Sequence, residues 1–183
     1  MVRKLKHHER KLLRKTDFMD WKRSNNLREI EVMRRYHIEK REDYMQYNRV
    51  CGKITKLANK LKSAEATSEF RIKMTASLLE KLYEMGVINS KRSLGKASAV
   101  TTAAFCRRRL AVVIVRLKFA QSVAEAARMV RQGHFRVGTN VVTDPAYHVT
   151  RKMEDHVAFV DTSSIRRKVL KYNDKLDDYD LLL

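Results

Sequence analysis

The stretch AEAARMVRQGHFRV, residues 124–137, changes its apolar period partway along, and this change decides the fold. Before Gly133, small and apolar residues recur at spacings of three and four, which is the pattern of one helix face, and Ser122 can cap that helix. After Gly133 the period becomes two, with Phe135 and Val137 on the same side of a strand. Glycine suits the junction because it readily adopts the left-handed backbone that ends a helix. The stretch therefore predicts a helix that leads directly into a short strand.

The residues on both sides extend this pattern into a small domain. Upstream, Thr101 or Thr102 can cap a helix whose apolar face continues through residues 110–117. Downstream, residues 138–140 have the composition of a turn, and residues 156–160 have the pattern of a closing strand. Together these elements predict two helices packed on a small bent sheet.

The first half of the chain is predicted to be helical. Apolar residues recur at helical spacing over residues 43–61 and again over residues 70–85, and Gly86 stands where a left-handed cap would end the second helix. Residues 89–98 have the composition of a linker, which places a domain boundary there. The predicted fold class is α+β and predominantly helical. It comprises a basic N-terminal arm or extension (1–40), a helical region (41–98), the two-helix and sheet module (99–161) and a C-terminal tail (162–183).

The charge of the chain points to a polyanionic partner. Its 183 residues carry 40 Lys and Arg against 21 Asp and Glu, a formal net charge of +19. Residues 1–60 hold 18 basic and 8 acidic groups, and residues 106–160 hold 10 and 4. Each phosphate that Lys or Arg neutralises releases condensed counterions and adds affinity. The imbalance therefore favours a nucleic acid partner over an anionic membrane surface.

Several other classes of protein are not expected. The longest aliphatic run, residues 110–115, is six residues long, whereas about 20 are needed to span a bilayer. No apolar leader segment follows the basic start. Cys51 and Cys106 form neither a metal-ligand pair nor a disulfide framework, and the adjacent His7 and His8 would point apart on a helix. We therefore expect no membrane, no metal, no cofactor and no small-molecule substrate.

The pattern from Arg108 through Phe159 resembles the S4-type RNA-binding module, which takes its name from a protein of the small ribosomal subunit. The resemblance depends on the helix, the Gly133-His134 pair, the strand and the turn at Pro145 occurring together at these spacings. In that family, arginines of the first helix and the basic edge of the second helix and first strand grip RNA backbone. The resemblance implies RNA contacts by Arg107, Arg108, Arg109, Arg116, Lys118, Arg128, Arg131, Gln132, His134 and Arg136.

The basic start of the chain is a second candidate contact surface. We expect it to become ordered on a partner, which is either a second RNA segment or a protein. The predicted contacts of this arm are Arg3, Lys4, Lys6, Arg10, Lys11, Arg14 and Lys15.

Nearly the whole chain is similar to a nucleolar branch of the S4 family, whose members are subunits of the U3 small nucleolar ribonucleoprotein. The similarity includes residues 1–13 with Phe18 and Trp21, residues 36–49, and the acidic end at residues 177–180. It implies a non-catalytic component of the small-subunit processome, located in the nucleolus, that promotes pairing of U3 RNA with pre-rRNA for 18S rRNA maturation. It further implies that the partners are U3 RNA, pre-rRNA, the phosphoprotein Mpp10 and other processome proteins.

Three other functions compete with this interpretation. An RNA-modifying enzyme would need a catalytic domain, but Gly52, Gly86 and Gly95 in the first hundred residues form no Gly-x-Gly phosphate loop. A mature small-subunit ribosomal protein would bind rRNA through the same module. A protein scaffold would use the apolar stretch from Phe18 to Tyr36 as an interface, with RNA contacts secondary.

Overall fold

The computed structural model describes residues 3–15 and 27–177. Phe18, Trp21 and residues 178–180, which entered the family resemblance, lie outside this described part. The first half of the chain contains α1 (His7–Lys15), α2 (Leu27–Arg35), α3 (Arg41–Ser63), α4 (Glu69–Glu84) and α5 (Leu94–Ser98). The second half contains α6 (Thr102–Cys106), α7 (Leu110–Arg116), α8 (Val123–Arg131), β1 (Phe135–Val137), β2 (Asn140–Val141), α9 (Arg151–Glu154), β3 (Val157–Phe159) and α10 (Ser164–Tyr172).

The second half has the predicted architecture of two helices on a small sheet. Helices α7 and α8 pack against each other, and the antiparallel strands lie in the order β2-β1-β3. Phe135 on β1 is opposite Phe159 on β3, and their rings stack at 4.7 Å between centroids. Phe135 is fully buried, as are Ile114 of α7 and Val130 of α8. The apolar faces read from the sequence thus form one core, and the α+β, mainly helical fold class is confirmed.

Two capping predictions are also confirmed. The Ser122 hydroxyl accepts a hydrogen bond from the backbone N–H of Glu125 at the start of α8. Gly133 has a φ of +77° immediately after that helix, and His134 then leads into β1.

The first half packs around a separate core. Helices α3, α4 and α5 meet at fully or almost fully buried side chains, among them Ala58, Leu82 and Ala97. The interpretation of residues 89–98 as a linker is wrong for its second part, since residues 94–98 form α5. Ser93 caps this short helix by accepting a hydrogen bond from the N–H of Gly95. The small side chain of Ala97 makes this segment look like a linker in the sequence. In the structure, Ala97 is fully buried against α3 and α4.

The helix expected to run from Thr101 or Thr102 through residue 117 is interrupted at residues 107–109. The Leu110 N–H donates to the Tyr147 carbonyl at 2.8 Å, and the Val149 N–H donates to the Arg108 carbonyl at 2.9 Å. Arg109 forms an isolated antiparallel bridge with His148 and has an extended backbone. The chain leaves the helical path here because its backbone groups pair with a segment about forty residues downstream.

The tail after β3 forms α10, which begins close to the module. Ser163 caps α10 and is buried, and its hydroxyl lies 3.0 Å from Nδ1 of His134. Among the described residues, no helix is both long enough and apolar enough to span a bilayer.

Candidate nucleic-acid interface

Arg108 and Arg109 lie inside the protein, whereas the family resemblance implied that both would contact RNA. They are 5% and 6% exposed. The Arg108 Nε donates to the Val149 carbonyl at 2.9 Å, and its Nη1 lies 2.8 Å from Glu154 Oε2. Arg108 therefore holds the start of the S4-like module to the segment before β3, and its placement corrects the prediction.

Arg109 makes a similar internal contact with the helical region. Its Nη1 lies 3.4 Å from Asp43 Oδ2 and 3.2 Å from the Tyr47 hydroxyl, both on α3. A buried guanidinium requires such partners, because an unpaired buried charge is strongly unfavourable. Arg109 thus joins the module to α3 and is not available to RNA from the outside.

Arg107 and Arg116 lie at the surface in a cleft of about 410 Å³ between the end of α4 and the module. Arg107 is exposed, and within the described part its side chain donates one hydrogen bond, from Nε to the Ala103 carbonyl. Arg116 is 47% exposed at its side chain and pairs with Glu154. The cleft also contains Arg151. Three arginines besides the buried Arg108 are therefore grouped around a single carboxylate.

Glu154 is the counter-ion of this cleft. One oxygen binds Arg108 and the other binds Arg116. Burial by itself raises the pKa of Glu154, but the hydrogen bonds and positive charges of the two arginines outweigh it and lower that pKa below its ordinary value. The carboxylate is therefore ionised at neutral pH.

Two further predicted RNA contacts, Arg131 and Arg136, form ion pairs with carboxylates of the same chain. Arg131 pairs with Glu39 at a second cleft of about 330 Å³, and this hydrogen bond lowers the pKa of Glu39. Arg136 lies 3.1 Å from Asp161, at an apolar groove beside α10. Arg131 and Arg136 therefore each have a carboxylate partner within the chain, at two different clefts.

The remaining predicted contacts differ in how accessible they are. Lys118, Arg128 and Gln132 are exposed, and within the described residues none has an ion-pair partner. Lys118 lies two residues after α7 and has a φ of +65°, a conformation more usual for glycine. His134 is half-buried against Ser163. The exposed cations best placed for a polyanion are therefore Arg107, Lys118 and Arg128.

The arm forms a basic helix with no buried residue. All seven predicted contacts of the arm are exposed. His7, Arg10, Lys11 and Arg14 line one shallow groove, as expected for positions i, i+3, i+4 and i+7 of a helix. Glu9 accepts from the Lys6 N–H and pairs with Arg3, so that pair neutralises part of the charge at the start of α1.

Sequence reasoning missed Arg151, which holds the end of α4. Its Nε donates to the Tyr83 carbonyl and its Nη2 to the Ile88 carbonyl, both at 2.8 Å, and its guanidinium lies 4.3 Å from the centre of the Tyr83 ring. The Tyr83 carbonyl also accepts from the Gly86 N–H at 2.9 Å, so Arg151 adds a second donor at the end of α4 and joins it to the segment that follows. The signal available in the sequence was the basic pair Arg151-Lys152, the only one between β1 and β3.

Within residues 3–15 and 27–177, no three His, Cys, Asp or Glu side chains group in a way that could hold a metal ion. Burial raises the pKa of the Cys106 thiol to about 11, and burial also raises the pKa of Cys51.

Comparison with known proteins identifies the class to which this fold belongs. The family model described as the S4 domain matches residues 108–155, which include α7, α8, β1, β2 and α9. The model described as the ribosomal protein S4/S9 N-terminal domain matches residues 4–107. The fold is therefore that of an S4-domain protein related to small-subunit ribosomal proteins.

Sequence identity to individual proteins shows to which family within this class the chain belongs. It is 51% identical to the U3 small nucleolar ribonucleoprotein protein IMP3 of Saccharomyces cerevisiae, over 98% of this chain and 99% of that protein. It is 48% identical to the human protein of the same name, over 99% of both chains. The small ribosomal subunit protein uS4 of Pyrobaculum aerophilum is 28% identical over 76% of this chain and 87% of its own length. The chain belongs to the IMP3 family, and the predicted resemblance is confirmed.

Proposed function

We propose that this protein is a non-catalytic RNA-binding component of the U3 small nucleolar ribonucleoprotein and the small-subunit processome. In this role it acts in the nucleolus and promotes base pairing of U3 RNA with pre-rRNA during maturation of 18S rRNA. Its partners are U3 RNA, pre-rRNA, the phosphoprotein Mpp10 and other processome proteins.

The observation that carries this proposal is the full-length similarity to proteins named U3 small nucleolar ribonucleoprotein protein IMP3. The matched length includes the basic arm, the helical region and the S4 domain. The two family models together account for residues 4–155.

Two separate cationic surfaces give the proposal a physical basis. One is the basic groove of α1. The other is the module, on which the side chains of Arg107, Lys118 and Arg128 are each exposed. Pairing two RNAs brings two polyanions together, and bound cations reduce the repulsion between them. A protein that holds one strand at each surface also raises the effective concentration of one strand near the other.

An annealing assay tests this proposal. Fluorescence energy transfer between a labelled U3 transcript and a labelled pre-rRNA leader transcript reports pairing with and without the full-length protein. We expect the R10Q/K11Q/R14Q and K118Q/R128Q variants to anneal more slowly than the wild type, while each retains binding to one of the two RNAs. The K53Q/K56Q/K60Q variant changes the same number of charges on α3 and is the control for the arm variant.

The salt dependence gives a second measurement. With about three phosphates neutralised by the module, log affinity should fall with log salt at a slope of about −2 to −3. Equal annealing rates with and without protein would contradict the pairing role. If every variant bound RNA as tightly as the wild type, the assignment of both surfaces would be contradicted.

A mature ribosomal role is the second candidate, because proteins of the uS4 family match most of the chain. Sedimentation of cell extracts separates the two candidates. A processome component migrates with large nucleolar precursor particles, whereas a ribosomal protein remains with cytoplasmic small subunits.

A further inference from the structure

We propose that the cleft between the end of α4 and the S4 domain is a binding site for one RNA backbone phosphate, and that Glu154 occupies this site in the absence of RNA. This inference rests on the proposed RNA-binding function. It adds a defined pocket that includes residues outside the predicted contact set, namely Asn89 and Arg151.

The cleft carries far more positive than negative charge. Arg107, Arg108, Arg116 and Arg151 line it together with one carboxylate, that of Glu154. Guanidinium groups so close together repel one another unless an anion lies between them. Arginine also matches phosphate geometry, because its planar fork can donate two parallel hydrogen bonds to two oxygens.

Two of the cleft arginines, Arg108 and Arg151, are held in place before any ligand arrives. Arg151 is fixed by two backbone carbonyls and by the Tyr83 ring. Arg108 is fixed by the Val149 carbonyl and by Glu154. A preorganised set of donors binds an anion more tightly than a flexible one, because less conformational entropy is lost on binding.

Two observations indicate that Glu154 satisfies the site only in part. The Nη2 atom of Arg108 is buried, and it has no hydrogen-bond partner among the residues that the structure describes. Arg107 lies at the cleft with its two terminal nitrogens making no hydrogen bond within that described part. A buried donor without a partner is unfavourable, so a second anion would be accepted here. A phosphodiester suits the site because RNA is the proposed ligand.

Glu154 then competes with the phosphate for the Arg116 guanidinium. Both of its oxygens bind arginines that line the cleft, Arg108 and Arg116. An incoming phosphate would take over the Arg116 guanidinium, while Arg108 remains paired with Glu154. Removing the carboxylate charge should therefore strengthen RNA binding, and adding a charge at the cleft should weaken it.

The test measures binding of a fluorescein-labelled U3 transcript to the full-length protein by anisotropy, across a range of salt concentrations. We expect Arg107→Gln and Asn89→Asp each to weaken binding about tenfold, the value of one charge-assisted hydrogen bond. The slope of log affinity against log salt should become about 0.7 to 0.9 shallower, which corresponds to one phosphate contact. Glu154→Gln should bind more tightly than the wild type.

Matched variants separate the cleft from a general charge effect. Arg49→Gln and Asn59→Asp make the same chemical changes at exposed positions on α3 that do not line the cleft. Urea unfolding of each variant checks folding, which matters most for Glu154→Gln because Arg108 loses its carboxylate. Arg107 and Asn89 are exposed, so their variants test the site even if that one is unstable.

The possible outcomes are distinct. Equal effects of the cleft variants and the α3 variants would overturn the phosphate site while leaving the RNA-binding function in place. Failure of the wild type to bind the transcript would instead overturn the proposed function. Reduced binding of a polyglutamate peptide, with RNA binding unchanged, would assign the cleft to an acidic protein and overturn the proposal as well.

Discussion

Replacing Gly86 with alanine should destabilise the protein because of the position of one buried arginine. Gly86 follows α4 with a φ of +73°, and a Cβ atom built on it would lie 2.6 Å from Nε of Arg108 and 2.7 Å from its Cζ. An L-residue in this left-handed backbone costs about 1–2 kcal/mol. Arg108 cannot move aside freely because it is buried and donates to the Val149 carbonyl.

The magnitude follows from these two contributions. Displacing Arg108 would leave a buried donor unsatisfied, which would lower the free energy of unfolding by a further 1–3 kcal/mol, roughly. The free energy of unfolding of Gly86→Ala should therefore fall by about 2–5 kcal/mol. Urea denaturation followed by circular dichroism measures this change directly.

Two other glycines are controls for the separate contributions. Gly138 has a φ of +64° and no heavy atom within 4 Å of an added Cβ, so Gly138→Ala should show the backbone contribution alone. Gly52 lies inside α3 with equally open space, and alanine there should stabilise the helix by about 1 kcal/mol. Equal losses for Gly86→Ala and Gly138→Ala would refute the argument, because they would mean that Arg108 offers no resistance.

Three further predictions concern buried groups. Arg109→Gln should cost about 3 kcal/mol in urea denaturation, because it leaves Asp43 without its partner. Arg131→Gln removes a solvent-exposed pair and should cost much less. Similar losses for the two variants would contradict the structural role of Arg109. Burial lowers the pKa of His148 below its ordinary value, so the unfolded chain binds the proton more readily and stability should fall as pH drops below about 6.5. The His148→Gln variant should lose less stability than the wild type between pH 8 and pH 5.5. The same pH dependence in both proteins would contradict the role of His148. The Cys106 thiol, buried with its pKa raised to about 11, should react with iodoacetamide only after unfolding, as mass spectrometry can show; rapid labelling of the folded protein would exclude this placement.

Local patterns in the sequence were sufficient to predict the module. The change of period at Gly133, the cap at Ser122 and the apolar positions of α7 and α8 depend on residues within a few positions of one another. Such short-range features are set by backbone geometry and by which face of an element is apolar. The same reasoning found α3 and α4, whose bounds differ from the predicted ones by a residue or two.

Long-range contacts decided the rest. Composition suggested a linker before the module, but α5 forms there because Ala97 fits against α3 and α4. Periodicity suggested one helix through residues 107–109, but backbone pairing with residues 147–149 interrupts it. Ser93 is a local cap for α5, but the packing of Ala97 and the break at residues 107–109 each depend on a surface supplied by a distant part of the chain.

The arginines show the same division between sequence and tertiary structure. The sequence alone determined that this chain has an excess of cations, where along the chain they are concentrated, and which module carries them. Three consecutive arginines cannot be distinguished by composition, since all three have the same charge and the same reach. Only the tertiary structure showed that Arg108 and Arg109 are buried against Glu154 and Asp43, partners 46 and 66 residues away, while Arg107 remains at the surface. The physical reason is that a guanidinium can be buried only where folding brings a carboxylate and carbonyl oxygens to it, and the positions of those partners depend on the packing of the whole chain.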